Sequence, residues 1–256
     1  MIDVQSSRDD RKLRIDKVGV KDIDYPIVLR DKARGFQHTV ASINMYVDLP
    51  QDFKGTHMSR FIELLNKYHG QIDNTNFIEL LGELRVALDA ECAHCEMSFP
   101  YFVEKTAPVS GAKSMMEYRC QYIGNLIGDD EDFIVGIHVP ITTLCPCSKE
   151  MSQKGAHNQR GQVIAKVKFD KFFWIEDLIK LIEESASSEV YALLKREDEK
   201  FVTDLAYSKP MFVEDVVREV SLKLQAEPNF TWFSVEVENF ESIHNHSAYA
   251  FIEMKD

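Results

Sequence analysis

From residue 36 to residue 49 the chain alternates, with Thr39, Ala41, Ile43, Met45, Val47 and Leu49 on one parity. A period of two over that length marks a long strand with one buried face. Helical spacing follows in two runs, Met58, Phe61, Ile62, Leu65 and then Phe77, Leu80, Leu81, Leu84, Leu88, with a break around Gly70. Strands are expected next at 95–106 and 115–126. Beyond Gly128 the order restarts: a strand at 133–143, a second resuming at Val163, Ala165, Val167 and Phe169, and a helix on Ile175, Leu178, Ile179 and Ile182. A later helix runs on Val213, Val216, Val217, Val220 and Leu224, and strands close the chain at 231–240 and 247–254. Strands, a helix pair and more strands, given twice, predict an α+β chain of antiparallel sheets covered on one face by helices. The expected units are 35–128 and 129–256, the second carrying most of the chemistry. Residues 1–34, rich in Asp, Arg and Lys without a sustained period, read as an N-terminal arm with at most a short edge strand at 26–29.

The 256 residues, 45% hydrophobic and 28% charged, suffice for a sizeable core. A formal net charge of −12 argues against a nucleic-acid surface, which must neutralise many phosphates with clustered Lys and Arg. A phosphorylated small molecule is compatible if a local basic pocket exists, and Lys149, Lys154 and Arg160 share one segment. No apolar run approaches the roughly 20 residues of a membrane span, and the N-terminus lacks a secretion signal, so a cytoplasmic protein without a membrane partner is expected. The odd count of 5 cysteines fits reduced thiols, some of them ligands or catalytic groups.

Between the two strands of the second half, residues 145–157 gather Cys145, Cys147 and His157 around Gly155. Thiolate and imidazole together suit zinc and related divalent ions. On an extended backbone the two thiols, two residues apart, would share a face. The plain alternative is a pair of small buried thiols and a loop histidine. Cys92 and Cys95 form a lone Cys-x-x-Cys; a four-thiolate site with Cys145 and Cys147 is conceivable, but packing is the simpler reading, as it is for His94 and Cys120. Glu241, His244 and His246 at the junction of the last two strands resemble acid/base machinery, or else a polar turn. Glu214 opens an apolar helix. There it complements the positive end of the dipole or, functionally, accepts two parallel N–H bonds from a base. The charge run 195–200 reads as a solvated helix face.

Longer motifs are more specific. Pro-Ile-Thr-Thr-Leu-Cys-Pro-Cys-Ser-Lys-Glu-Met-Ser at 140–152, Gly-Ala-His-Asn-Gln-Arg at 155–160, Phe-Val-Glu-Asp at 212–215 and Glu-Asn-Phe-Glu-Ser-Ile-His-Asn-His-Ser-Ala-Tyr at 238–249 resemble GTP cyclohydrolase IB, the prokaryotic metal-dependent cyclohydrolase. So do Gly-Thr-His-Met-Ser-Arg-Phe at 55–61 and Glu-Lys-Thr-Ala-Pro-Val-Ser-Gly at 104–111. The resemblance covers nearly the whole chain after the arm. It implies a tunnelling fold with two helix-backed antiparallel sheet units per chain, a homotetramer with active sites at subunit interfaces, and conversion of GTP to formate and 7,8-dihydroneopterin triphosphate, the entry step of folate synthesis. By the same resemblance a divalent ion (Zn, Mn or Fe(II)) falls to Cys145, His157 and Glu199, and proton transfer to Cys147, Glu241, His244 and His246, with the two cysteines' roles open to exchange. Glu214 would hold guanine, and Lys154, Arg160, His57 and Arg60 the triphosphate. Rival readings are the archaeal relative that gives a cyclic phosphate, a non-catalytic zinc-binding assembly protein, and a pterin enzyme of the queuosine branch. The resemblance leaves one departure, the lack of a confident second strand ahead of Met58.

Overall fold

The computed structural model describes residue 5 and residues 7–254, which form two compact units. They interleave along the chain instead of meeting at residue 128: one takes the residues up to Pro100 with Gln121–Val135, the other Tyr101–Cys120 with Gly136 onward.

In the first unit the strands β1 (Ile15–Asp31) and β2 (Gly35–Leu49) form an antiparallel hairpin that continues through β3 (Cys92–Thr106), β4 (Lys113–Ile127) and β5 (Asp130–Leu144) as hydrogen-bonded neighbours. The arm reading of residues 1–34 therefore gives way to a 17-residue strand, which is also the strand missing ahead of Met58. Its alternation is hidden because register shifts between Ile15/Val18 and Val20/Ile23 change which parity faces inward. Helices α1 (Met58–Tyr68) and α2 (Phe77–Leu88) bury Phe61, Leu65, Phe77, Leu80, Leu81 and Leu84 with Ala41, Ile43, Met45 and Val47 of β2. A side chain at Gly124 would place its Cβ 2.7 Å from Phe77 and Leu81, so glycine is what lets the α2 layer approach β4. Cys92 and Cys95 lie on β3 as packing residues, and His94 bonds Asn125 at 2.7 Å.

In the second unit the order is β3, β4, β5, then β6 (Asn158–Phe169), β8 (Phe230–Asn239) and β9 (Ala248–Glu253), while the short β7 (Ser188–Glu189) pairs with β5. Helices α4 (Ile175–Glu183) and α6 (Val213–Ala226) present Leu178, Ile179, Ile182, Val216, Val217, Val220 and Leu224 to the same buried layer as Val163, Ala165, Val167, Val235 and Val237. Each of these Val, Leu and Ile side chains contributes about 1.5–3 kcal/mol when fully buried. Among the described residues no helix is long and apolar enough to cross a membrane.

Two polar clusters are built into this unit. Lys105 Nζ sits 2.7 Å from Glu183 and 2.7 Å from Glu189, 3.1 Å from the Val190 carbonyl and 4.4 Å over the Tyr191 ring, while Tyr118 donates to Glu183 at 2.6 Å. Burial pushes the Glu183 carboxyl up, and Lys105 pulls it back. Asp198, on α5 (Arg196–Ser208), is fully buried and accepts from the backbone of Val109 (2.9 Å), Ser110 (2.8 Å) and Lys195 (2.8 Å) and from the Ser110 hydroxyl (2.6 Å). Burial alone would raise its pKa, but these donors outweigh it and hold the carboxyl well below its usual 3.8. A depressed carboxylate contributes stability that is complete above the unfolded value and is lost as pH falls through the folded one. Asp198→Asn should therefore lower Tm at neutral pH, and the gap to the parent should narrow in melts taken at successively lower pH below 3.8.

Candidate active site

The loop between β5 and β6 is not extended. Pro146, whose fixed φ suits the first helical position, starts a short helix, α3 (Pro146–Met151). Cys145 becomes its N-cap, the thiol accepting from the Ser148 amide at 3.4 Å. The two thiols consequently do not share a face: Cys145 is half-buried and Cys147 exposed. The loop closes on itself where the Cys145 amide donates to the His157 carbonyl at 3.1 Å and the His157 amide to Ser148 Oγ at 3.3 Å. Gly155, at φ 133°, makes the return that other residues adopt only with strain. Cys145 and His157 are thus brought side by side by backbone bonding.

Neighbouring elements dock on this loop. Met211 donates to the Leu144 carbonyl at 3.0 Å, which sets the entry of α6 beside Cys145, and Leu144 donates to Ser187 Oγ at 3.3 Å. The Phe212 amide is capped by Asp215 at 2.9 Å, leaving Glu214 in the first turn of α6. On the other side the Phe240 amide donates to the Arg160 carbonyl at 2.8 Å, and Ser242 Oγ reaches His157 Nδ1 at 3.3 Å. The outcome is a small cavity of ≈ 200 Å³ lined by Cys145, Gln159, Glu214, Asn239 and Glu241 among others. Asn239 is buried, and its Oδ1 has no hydrogen-bond partner among the described residues. A buried acceptor without a donor is costly, and a ligand N–H or O–H in the cavity would relieve it.

Of the site residues expected from sequence, Cys145, Glu214 and Glu241 meet at this cavity, with His157 joined to them through Ser242. His244 and His246 are exposed and stack on each other, ring centroids 5.2 Å apart, in the turn that follows. Lys154 and Arg160 are exposed on either side of His157. His57 and Arg60 belong to the first unit, as N-cap and first turn of α1, and Arg60 donates one guanidinium N–H to the Ala87 carbonyl at 2.6 Å. Glu199 is exposed on α5, one residue past the buried Asp198.

Thiolate and neutral imidazole are sound ligands for a divalent ion, and Cys145 with His157 fit two positions of such a site. Glu199 does not join them within one chain: among the described residues no three His, Cys, Asp or Glu side chains are grouped closely enough to hold a metal. Two residues that sequence reading passed over complete the local geometry. Gln159 bonds His157 at 3.0 Å and Thr143 at 2.9 Å, and its position two residues beyond His157, at the start of a strand, was the available signal. Asn239 carried no such signal, since its neighbourhood depends on the β6–β8 register, Gly161 opposite Asn239.

The family model described as type I GTP cyclohydrolase folE2 matches residues 1–250. The protein named GTP cyclohydrolase FolE2 from Syntrophus aciditrophicus is 62% identical over 253 residues, covering 99% of this chain and 99% of the relative. That of Syntrophotalea carbinolica is 63% identical over 253 residues, covering 99% and 95%. Among solved structures, the uricase of Arthrobacter globiformis aligns over 93% of this chain and 92% of that one at a TM-score of 0.52 and 10% identity. A Bacillus sp. TB-90 urate oxidase variant, R298C, aligns over 94% and 98% at 0.54 and 9%. At such identities the likeness bears on fold alone, and the fold is the tunnelling fold with its antiparallel sheets and covering helices. By the match over nearly its whole length and the identity to these relatives, the chain belongs to the type I GTP cyclohydrolase folE2 family.

Proposed function

We propose that the chain hydrolyses GTP to formate and 7,8-dihydroneopterin triphosphate, the first step of folate biosynthesis. The observation that carries this reading is the cavity that Cys145, Glu214 and Glu241 share despite their separation in sequence, with the unpaired Asn239 acceptor beside them. The Glu214 carboxylate can accept from guanine N1–H and the exocyclic amine together, which fixes the base while leaving its imidazole ring toward Cys145 and Glu241. Net addition of water at C8 and loss of that carbon as formate require protons to be taken from water and delivered to the ring nitrogens. Glu241, His244, His246 and Cys147 are assigned that work. Lys154 and Arg160, with His57 and Arg60 supplied across an interface, are assigned to the triphosphate.

A divalent ion held by Cys145 and His157, with Glu199 supplied by a second copy of the chain as the carboxylate donor, would provide Lewis-acid polarisation and a water of lowered pKa. Such a mixed set of sulfur, nitrogen and oxygen donors is weakly selective, so zinc, manganese and ferrous iron are all workable. Cys145→Ala and His157→Ala should each abolish metal retention, Glu199→Gln should weaken it, and Cys147→Ala should retain metal while losing turnover. Metal stoichiometry of the purified variants reads this directly. An empty Cys147→Ala beside a loaded Cys145→Ala would exchange the two thiols' roles.

A homotetramer is part of the proposal. Tyr249 and Phe251 are exposed on β9, which ends its strand order and so offers an open edge to a second copy. The deciding assay incubates the metal-loaded chain with GTP and follows formate and, after oxidation, a pterin chromophore. A folded, loaded protein giving neither sinks the proposal, and a cyclic phosphate product moves the chain to the archaeal type of reaction.

A further inference from the structure

Gln159 lies on β6 with only 7% of its surface exposed, and both ends of its amide are engaged. Its Nε2 donates to Thr143 Oγ1 at 2.9 Å, and its Oε1 stands 3.0 Å from His157 Nδ1. Thr143 is on β5 at 0% exposure, so the hydroxyl that accepts from the amide is itself held in the sheet. An amide oxygen only accepts and an amide NH2 only donates. With Oε1 facing the ring, the proton between them belongs to His157 Nδ1. A neutral imidazole carries one N–H, so Nε2 is then the nitrogen with the lone pair. The Ser242 hydroxyl, 3.3 Å from the same Nδ1, can accept from that N–H as well and adds no competing demand on Nε2.

We propose that Gln159 is a positioning residue that holds His157 as the Nδ1–H tautomer, so that Nε2 is presented as a lone-pair donor. For the use of that lone pair the inference rests on the reading of His157 as a metal ligand; for the tautomer itself it does not. Turning the amide over would place its NH2 against His157, make Nδ1 the acceptor and put the proton on Nε2, where it blocks coordination. Thr143 therefore reaches the site through a relay, from a buried strand hydroxyl to an amide to the ring. Outer hydrogen-bond partners of this kind typically change metal affinity by about 10- to 100-fold when removed.

The test begins with metal-free full-length protein labelled with 15N-histidine, at a pH where imidazole is neutral. Long-range proton–nitrogen correlations identify the tautomer, and the signals missing from His157→Ala assign it. The parent should show a protonated Nδ1 and an unprotonated Nε2. Gln159→Leu should lose that preference and bind Zn or Mn about 10- to 100-fold more weakly. Gln159→Glu should keep it, because a carboxylate oxygen still accepts from Nδ1–H and the Thr143 hydroxyl can reverse to donate. An Nε2–H tautomer in the parent overturns the proposal without any variant, and so does a Gln159→Leu protein with unchanged tautomer and affinity. If the tautomer follows Gln159 as expected but His157→Ala binds metal like the parent, the ligand reading of His157 fails and takes the metal limb of this inference with it.

Discussion

Glu214→Gln is expected to lower kcat/KM for GTP by about 5- to 150-fold, the equivalent of 1–3 kcal/mol, while leaving the melting temperature close to the parent's. The side chain stands in the first turn of α6 and lines the cavity, while the helix cap is supplied by Asp215. An amide of the same shape retains one acceptor oxygen and turns an NH2 toward donors on the base, so one hydrogen bond is lost and one N–H is left facing another. Inosine triphosphate, which lacks the exocyclic amine, separates this from a general defect. The parent should prefer GTP, and the variant should discriminate less. Near-parental turnover of GTP by Glu214→Gln removes this residue from base recognition.

Lys105→Met should strongly destabilise the second unit. Lys105 is 8% exposed and Glu183 7%, and without the ammonium Glu183 is left buried with no cation beside the half-exposed Glu189. Breaking a buried pair by removing one partner costs about 3–5 kcal/mol. At about 2–4 °C per kcal/mol that is a fall in Tm of roughly 6–20 °C. Adding Glu183→Gln should recover part of the loss, because a neutral amide can still accept from Tyr118 and no longer requires a counter-charge. A Lys105→Met protein melting within a degree or two of the parent would show that water or local movement already relieves the cluster.

Where one face of an element was buried and its geometry regular, the sequence was easy to read: β2, α1, α2, α4 and α6 stand where the periods put them. Reading failed where the physics was not periodic. β1 was concealed by register shifts that flip the inward parity, and α3 by a cysteine pair that invites an extended reading although Pro146 favours a helical start. In the charged run at the start of α5 the buried acid is Asp198, which caps backbone amides at 109 and 110, far away in sequence; Glu199 beside it is exposed. Chemistry-bearing residue types in long motifs singled out Cys145, His157, Glu214 and Glu241, which the fold brings into one neighbourhood. Gln159 and Asn239 stayed silent because an amide's importance lies in whom it faces, and that is settled only by strand register.

The interleaving of the two units has a bearing on how this protein can be dissected. Each unit is discontinuous, since the chain passes from one to the other after Pro100, again after Cys120 and again after Val135, each time within a strand and not in a loop. No single truncation can deliver either unit intact: a fragment beginning at residue 129 lacks Tyr101–Cys120, and one ending at residue 128 carries that segment away from its partners. Any attempt to isolate one unit has to carry both of its chain segments, and each join falls inside a strand.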